Sequence, residues 1–194
     1  MKSRCITLSV VLLLLSTVAF AQSDLHKMDA PTTSAPKSEA QKAFEQLKTL
    51  AGSWAGQLTT IPRAPGADGQ FAQFSLQVTS RGNAMEHEMS VGGLPDHPVT
   101  MFYLDGDRLT LTHYCDAGNR PRMVAKVSPD GKTLEFDFLD LSGGNERGHM
   151  HHAVFTFIDE NHHTEDWTYM LPGDMPMRAH FDLQRTSFES SPAR

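Results

Sequence analysis

Histidine is the residue type best placed to do chemistry in this chain, with ten copies, all beyond position 21. Two of them alternate in His149-Met150-His151. On an extended strand that spacing sets both imidazoles on one face with Cα atoms about 6.6 Å apart, a workable start for zinc or a haem iron. His113, His87 or Glu165 would complete the set, so the metal candidates are His113, His149, His151 and Glu165. A second chemistry suits the same neighbourhood. His87, His113, His151, Trp167 and Tyr169 are the side chains expected to meet the polar end of a small apolar or amphipathic ligand. A third reading makes His149-Met150-His151-His152 and His162-His163 an exposed metal-buffering patch.

Arg120 and Arg122 flank Pro121 just after Gly118-Asn119. Two guanidiniums at the rim of a pocket would greet a carboxylate or phosphate. Cys115 follows His113 by two residues, usually too far along a strand for a thiol–imidazole nucleophile. Glu165 and Asp166 are neighbours and face opposite ways, so they form no acid–base pair. There is no Gly-x-Ser-x-Gly, no phosphate loop and no dinucleotide fingerprint, so no motif predicts turnover. Binding is expected rather than catalysis.

These groups need a scaffold, and the composition is that of a globular one: 39% hydrophobic and 21% charged residues in 194. Lys2 and Arg4 precede an apolar run from Ile6 to Phe20, and Ala19-Phe20-Ala21 offers a small–x–small cleavage site. Residues 1–21 therefore read as a secretory signal, and the protein as periplasmic or secreted. No second apolar stretch follows, so no membrane insertion of the mature chain is expected. The full chain carries a net charge of −6; without Lys2 and Arg4 it is −8, which disfavours nucleic acid as a partner. Cys5 leaves with the signal, and Cys115 alone cannot staple the fold. Residues 22–37 hold two prolines and no apolar period and read as a disordered tether; 188–194 read as a tail. The folded body is expected over 38–187.

One helix is predicted over 38–51, with Ser38 and Gln41 at capping-box spacing and Gly52 as its left-handed stop. From Gly52 onward the apolar period is two. Ten strands are predicted, near 53–61, 70–80, 83–92, 98–104, 107–115, 121–128, 132–140, 148–158, 162–171 and 177–186. Arg81-Gly82-Asn83, Asp105-Gly106, Pro129-Asp130-Gly131, Gly143-Gly144-Asn145 and Pro172-Gly173-Asp174 punctuate them. Short strands with tight turns and no alternating helices imply an all-β antiparallel barrel or sandwich. Alternation turns inward Phe74, Leu76 and Val78; Met85, His87, Met89 and Val91; Leu109, Leu111, His113 and Cys115; Leu134, Phe136 and Phe138; and Met177, Ala179, Phe181, Leu183 and Arg185. The eighth strand is expected to turn in His149, His151, Ala153, Phe155 and Phe157, and the ninth His163, Glu165, Trp167 and Tyr169.

A capped helix running into Gly52-Ser53-Trp54, about ten antiparallel strands, and Arg185 in the last of them resembles the calycin superfamily of lipocalin-like and nitrobindin-like barrels. It also looks like secreted bacterial lipocalin-like domains of unknown function. The resemblance implies a ten-stranded calycin-like barrel in which Trp54 closes one end against Arg185. Nitrobindin-like barrels carry Gly-x-Trp-x-Gly-x-Gly, whose last glycine is Leu58 here. The expected function is a cavity holding a mostly apolar molecule; the alternatives are a haem- or metal-binding barrel, with zinc the metal, and a cavity-bearing domain with enzymatic activity of unknown type.

Overall fold

The computed structural model describes residues 36–186. The expected signal (1–21), the tether as far as residue 35 and the tail (188–194) lie outside these residues.

The helix forms where its capping box predicts. In α1 (Glu39–Lys48), Ser38 Oγ accepts from the Gln41 amide at 3.2 Å, and the Gln41 side chain accepts from the Ser38 amide at 2.8 Å. Ala43, Phe44 and Leu47 form its buried stripe. The stop differs from expectation. Thr49 is the C-cap, Leu50 and Ala51 finish a tight turn, and Gly52 already begins the first strand. Its φ of +139° and a neighbouring Arg185 nitrogen, only 2.6 Å from where a Cβ would stand, explain the glycine.

Ten strands follow: β1 (Gly52–Ile61), β2 (Phe71–Thr79), β3 (Ala84–Val91), β4 (Val99–Asp105), β5 (Arg108–Tyr114), β6 (Arg120–Val127), β7 (Thr133–Ser142), β8 (His149–Asp159), β9 (His162–Leu171) and β10 (Met175–Thr186). Every strand pairs antiparallel with its sequence neighbours, and β1 pairs with β10 from Ser53↔Thr186 to Ile61↔Arg178. The result is a closed up-and-down barrel. All five predicted turn signals fall at the ends of strands or between them, Asp105 closing β4.

Alternation then decides what the barrel contains. Phe74 and Leu76, Met85, His87 and Met89, Leu109, Leu111 and His113, Leu134 and Phe136, and Phe181 and Leu183 are all buried. Val78, at the end of β2, is exposed instead. The middle of the barrel is filled rather than hollow. Phe102, Phe136, Phe155 and Trp167 meet edge-on with centroids 5.5–5.8 Å apart. Full burial of side chains of this kind contributes roughly 1.5–3 kcal/mol each, so packing is the main source of stability. In β8 the register shifts between Met150 and His152, leaving His151 as the bulged residue and burying both His149 and Met150.

α1 packs against β4, β5 and β6 and covers one end, where Gln46 Nε2 donates to the Gly131 carbonyl at 2.6 Å. The opposite, open end carries the connections 62–70, 92–98, 115–119, 143–148 and 172–174.

Candidate functional site

At the covered end the guanidinium carbon of Arg185 stands 4.1 Å from the Trp54 ring centroid. The same guanidinium donates to the carbonyls of Ala51 at 2.8 Å, Thr49 at 3.0 Å and Glu160 at 2.9 Å. Trp54 Nε1 donates to the Leu50 carbonyl at 2.8 Å. Three of its five donors are committed to backbone carbonyls, and its face lies over the indole, so this arginine ties the helix end and β8–β9 turn to Trp54. Gly56, two residues on, allows close approach of β10: a Cβ there would meet the Asp182 carbonyl oxygen at 1.8 Å.

Above Trp54 lies a polar knot built on β3 and β9. Glu165 accepts from His87 Nε2 at 3.0 and 3.2 Å, from His163 Nε2 at 3.1 Å and from Trp167 Nε1 at 2.9 Å. His163 packs edge-on against Trp54 at 4.2 Å. Burial alone would push the Glu165 carboxyl up; the two imidazoles outweigh it and hold the carboxyl well below the usual carboxylate range. His113 belongs to a separate pair, with Nδ1 2.8 Å from Thr100 Oγ1 and the ring 5.5 Å from Trp167. Burial, with His87 nearby, lowers its pKa from 6.5 to about 3. Carboxylate–imidazole pairs are acid–base machinery in principle. Here all of them are fully buried in the packed interior. His87 Nδ1 and His163 Nδ1 have no hydrogen-bond partner.

The open end is where a ligand can reach the barrel. A cleft of about 130 Å³ is lined by Met89, Val91, Leu94, Asp96, Pro98 and Phe181. Burial, helped by the Asp116 charge, raises the Asp96 carboxyl above its ordinary value. Tyr169 Oη donates to the Arg147 carbonyl at 2.9 Å, and Arg147 in turn donates to the Asp116 carbonyl at 3.0 Å. A wider groove of about 420 Å³ runs beside α1 along Leu109, Ala125 and Val127. It lies at the covered end, away from the interior polar groups.

The predicted residues distribute unevenly over this geometry. His87, His113 and Trp167 are inside the barrel, locked in the packed interior, and none of the expected ligand contacts lines the 130 Å³ cleft. Arg120 and Arg122 correct the expectation of a cationic rim. Pro121 and Met123 take the inward positions of β6, so both arginines stand on the outer wall, and Arg122 is clamped by Asp140 at 2.8 and 2.5 Å. His149 and His151 do meet, with Nε2 and Nδ1 3.1 Å apart. No three of His113, His149, His151 and Glu165 share a point. Among the described residues the three-residue group that does is Glu135, Asp137 and His152, on the outer wall, where Lys126 also pairs with Asp137. The exposed-patch reading of His162-His163 is corrected as well: His163 is fully buried, while His162 pairs with Asp182 at 2.8 Å outside. No recognised motif marks Leu94, Asp96 or Pro98; a leucine followed by two prolines in a loop, Leu94-Pro95-Asp96-His97-Pro98, is the available signal. Asn119, beside Gly118, carries only a turn signal in the sequence. It is buried and clasps the carbonyls of Gly144 at 2.9 Å and Gly148 at 2.8 Å.

Closed order, a helix over one end and an aromatic–arginine seal define a ten-strand barrel of the lipocalin-like kind. No protein-family model and no curated protein matches the sequence. Among solved structures, the chain is similar to a protein of unknown function of the DUF3598 family from Nostoc punctiforme PCC 73102, at TM-score 0.52 and 14% identity. The match covers 73% of this chain and 49% of that one, so this chain spans about half of that protein's length. It is also similar to the S-type phycobiliprotein lyase CPES from Guillardia theta, at TM-score 0.50 and 10% identity, over 79% of this chain and 100% of that one. These likenesses show the shared barrel. Among the described residues no helix is long and apolar enough to cross a membrane.

Proposed function

We propose that this protein is an exported binding barrel that holds a small, mostly apolar molecule at its open end. The cleft bounded by Met89, Val91, Leu94, Pro98 and Phe181 carries the reading, because its walls are apolar and its single charged lining group is the Asp96 carboxyl. Apolar walls with one placed polar group are the usual composition of a small-molecule site. A cavity on the order of 150 Å³ accepts a benzene-sized guest, so 130 Å³ suits a single ring or short chain. Asp96 selects a neutral or basic polar end over an acidic one. Export rests on the Lys2/Arg4 region, the Ile6–Phe20 apolar run and the Ala19-Phe20-Ala21 cleavage pattern.

Benzylamine, benzyl alcohol and benzoate share one apolar body and differ in charge. Titrated against the protein and followed by NMR, benzylamine and benzyl alcohol should bind at the cleft residues and benzoate more weakly by tenfold or more. Asp96→Asn should erase that preference. Absence of any shift at Met89, Val91 or Phe181, or equal binding of benzoate, contradicts the reading.

A further inference from the structure

His149 and His151 sit on one strand, but a regular strand does not by itself bring i and i+2 imidazole nitrogens into contact. Here the bulge at His151 re-aims its ring, so that Nδ1 stands 3.1 Å from His149 Nε2. Two further contacts hold the pair. His149 Nδ1 donates to Asn145 Oδ1 at 2.8 Å. That bond leaves a neutral His149 with its Nε2 lone pair directed at His151. Phe138 stacks on His151 at 5.0 Å with planes 19° apart, and its centroid is 4.8 Å from that of His149.

We infer that His149 Nε2 and His151 Nδ1 form a two-histidine site for a borderline divalent cation such as zinc, at the open end of the barrel. Two nitrogens each about 2.0–2.1 Å from a tetrahedral zinc stand about 3.3 Å apart, within a few tenths of an ångström of what is found. Imidazole ligands suit zinc, copper and nickel. Asn145 is the outer partner that fixes the ring and tautomer of a ligating histidine. The cation replaces the proton between the rings, and the His151 proton moves from Nδ1 to Nε2, so no proton has to leave. Remaining coordination positions stay open to water or a small ligand. This site is independent of the apolar cleft and of its proposed guest.

The test is zinc alone, titrated calorimetrically into the untagged protein. One equivalent should bind. His149→Ala and His151→Ala should each weaken binding at least tenfold, Asn145→Ala should weaken it by about tenfold or more, and His152→Ala should leave it unchanged. The His152 control separates this pair from Glu135, Asp137 and His152 on the outer wall. Nitrogen NMR of the unmutated protein gives an answer independent of folding of the variants: zinc should move His149 Nε2 and His151 Nδ1 together. Loss of binding in His152→Ala alone, or imidazole nitrogens at 149 and 151 that ignore zinc, overturns the site.

Discussion

Glu165 and His87, 78 residues apart in sequence, face each other inside the barrel with the imidazole Nε2 3.0 and 3.2 Å from the carboxylate oxygens. Their side chains are 0% and 1% exposed, so neither group has recourse to water. Removing one partner of such a pair costs about 3–5 kcal/mol, because the other is left buried and uncompensated. Glu165→Ala is therefore expected to lower the melting temperature by roughly 10 °C. A melting curve within 2 °C of the parent would show that the knot does not hold the interior.

His113 makes stability fall with acid. Below pH 6.5 the unfolded chain takes up a proton on this residue that the folded chain refuses until about pH 3. The unfolded state thus binds more protons in that window, and folding weakens as pH drops, by about 1.4 kcal/mol per unit for one group. Glu165, with its lowered carboxyl, acts in the same direction below pH 4.5. Urea unfolding at pH 6.5, 5.5 and 4.5 should show the slope, and His113→Gln should flatten it by about one proton's worth. An identical slope in the variant is the contrary result.

The Trp54–Arg185 seal needs a planar fork with several donors. Arg185→Ala strips three carbonyls of their donor and uncovers the indole, a loss of about 2–3 kcal/mol. Arg185→Lys should recover less than half of it, since an ammonium cannot span the same acceptors. Tryptophan emission should shift to the red in both variants. Full rescue by lysine would mean that charge alone closes this end.

Gly56 tests the seam itself. An alanine methyl would overlap the Asp182 carbonyl oxygen, which belongs to backbone and cannot rotate aside. Gly56→Ala is expected to destabilise by about 3 kcal/mol, at the upper end of ordinary overpacking. Amide exchange along Gly56↔Leu183 should accelerate. Unchanged exchange there would place the strain elsewhere.

For the cleft, Val91→Trp should fill the space and weaken benzylamine binding at least fivefold while leaving the melting temperature within about 2 °C, because Val91 is only partly buried. Retained affinity would move the guest to another surface.

Much of this architecture is legible in the sequence. Period-two apolar runs and turn chemistry placed ten strands, and alternation chose the inward set because a one-residue slip would have put Glu86, Glu88 or Thr112 in the core. Other parts were opaque for definite reasons. The Glu165–His87 pair joins β9 to β3, which no local pattern connects. His162 and His163 look alike in sequence, yet successive residues of a strand face opposite ways, so one is outside and one is buried. Arg120 and Arg122 went to the outer wall because Pro121 and Met123 took the inward places. The cavity expected from the histidines was occupied by Phe102, Phe136, Phe155 and Trp167, since side-chain volume rather than polarity decides whether a small barrel stays hollow.

The pairing of β1 with β10 has a social consequence as well as a structural one. Among the described residues of the barrel wall, the first and last strands spend their hydrogen-bonding groups on each other and offer no bare ribbon for a neighbour to extend. Copies crowded together meet wall to wall through side chains, and runaway stacking by strand addition has nowhere to begin until this seam unzips.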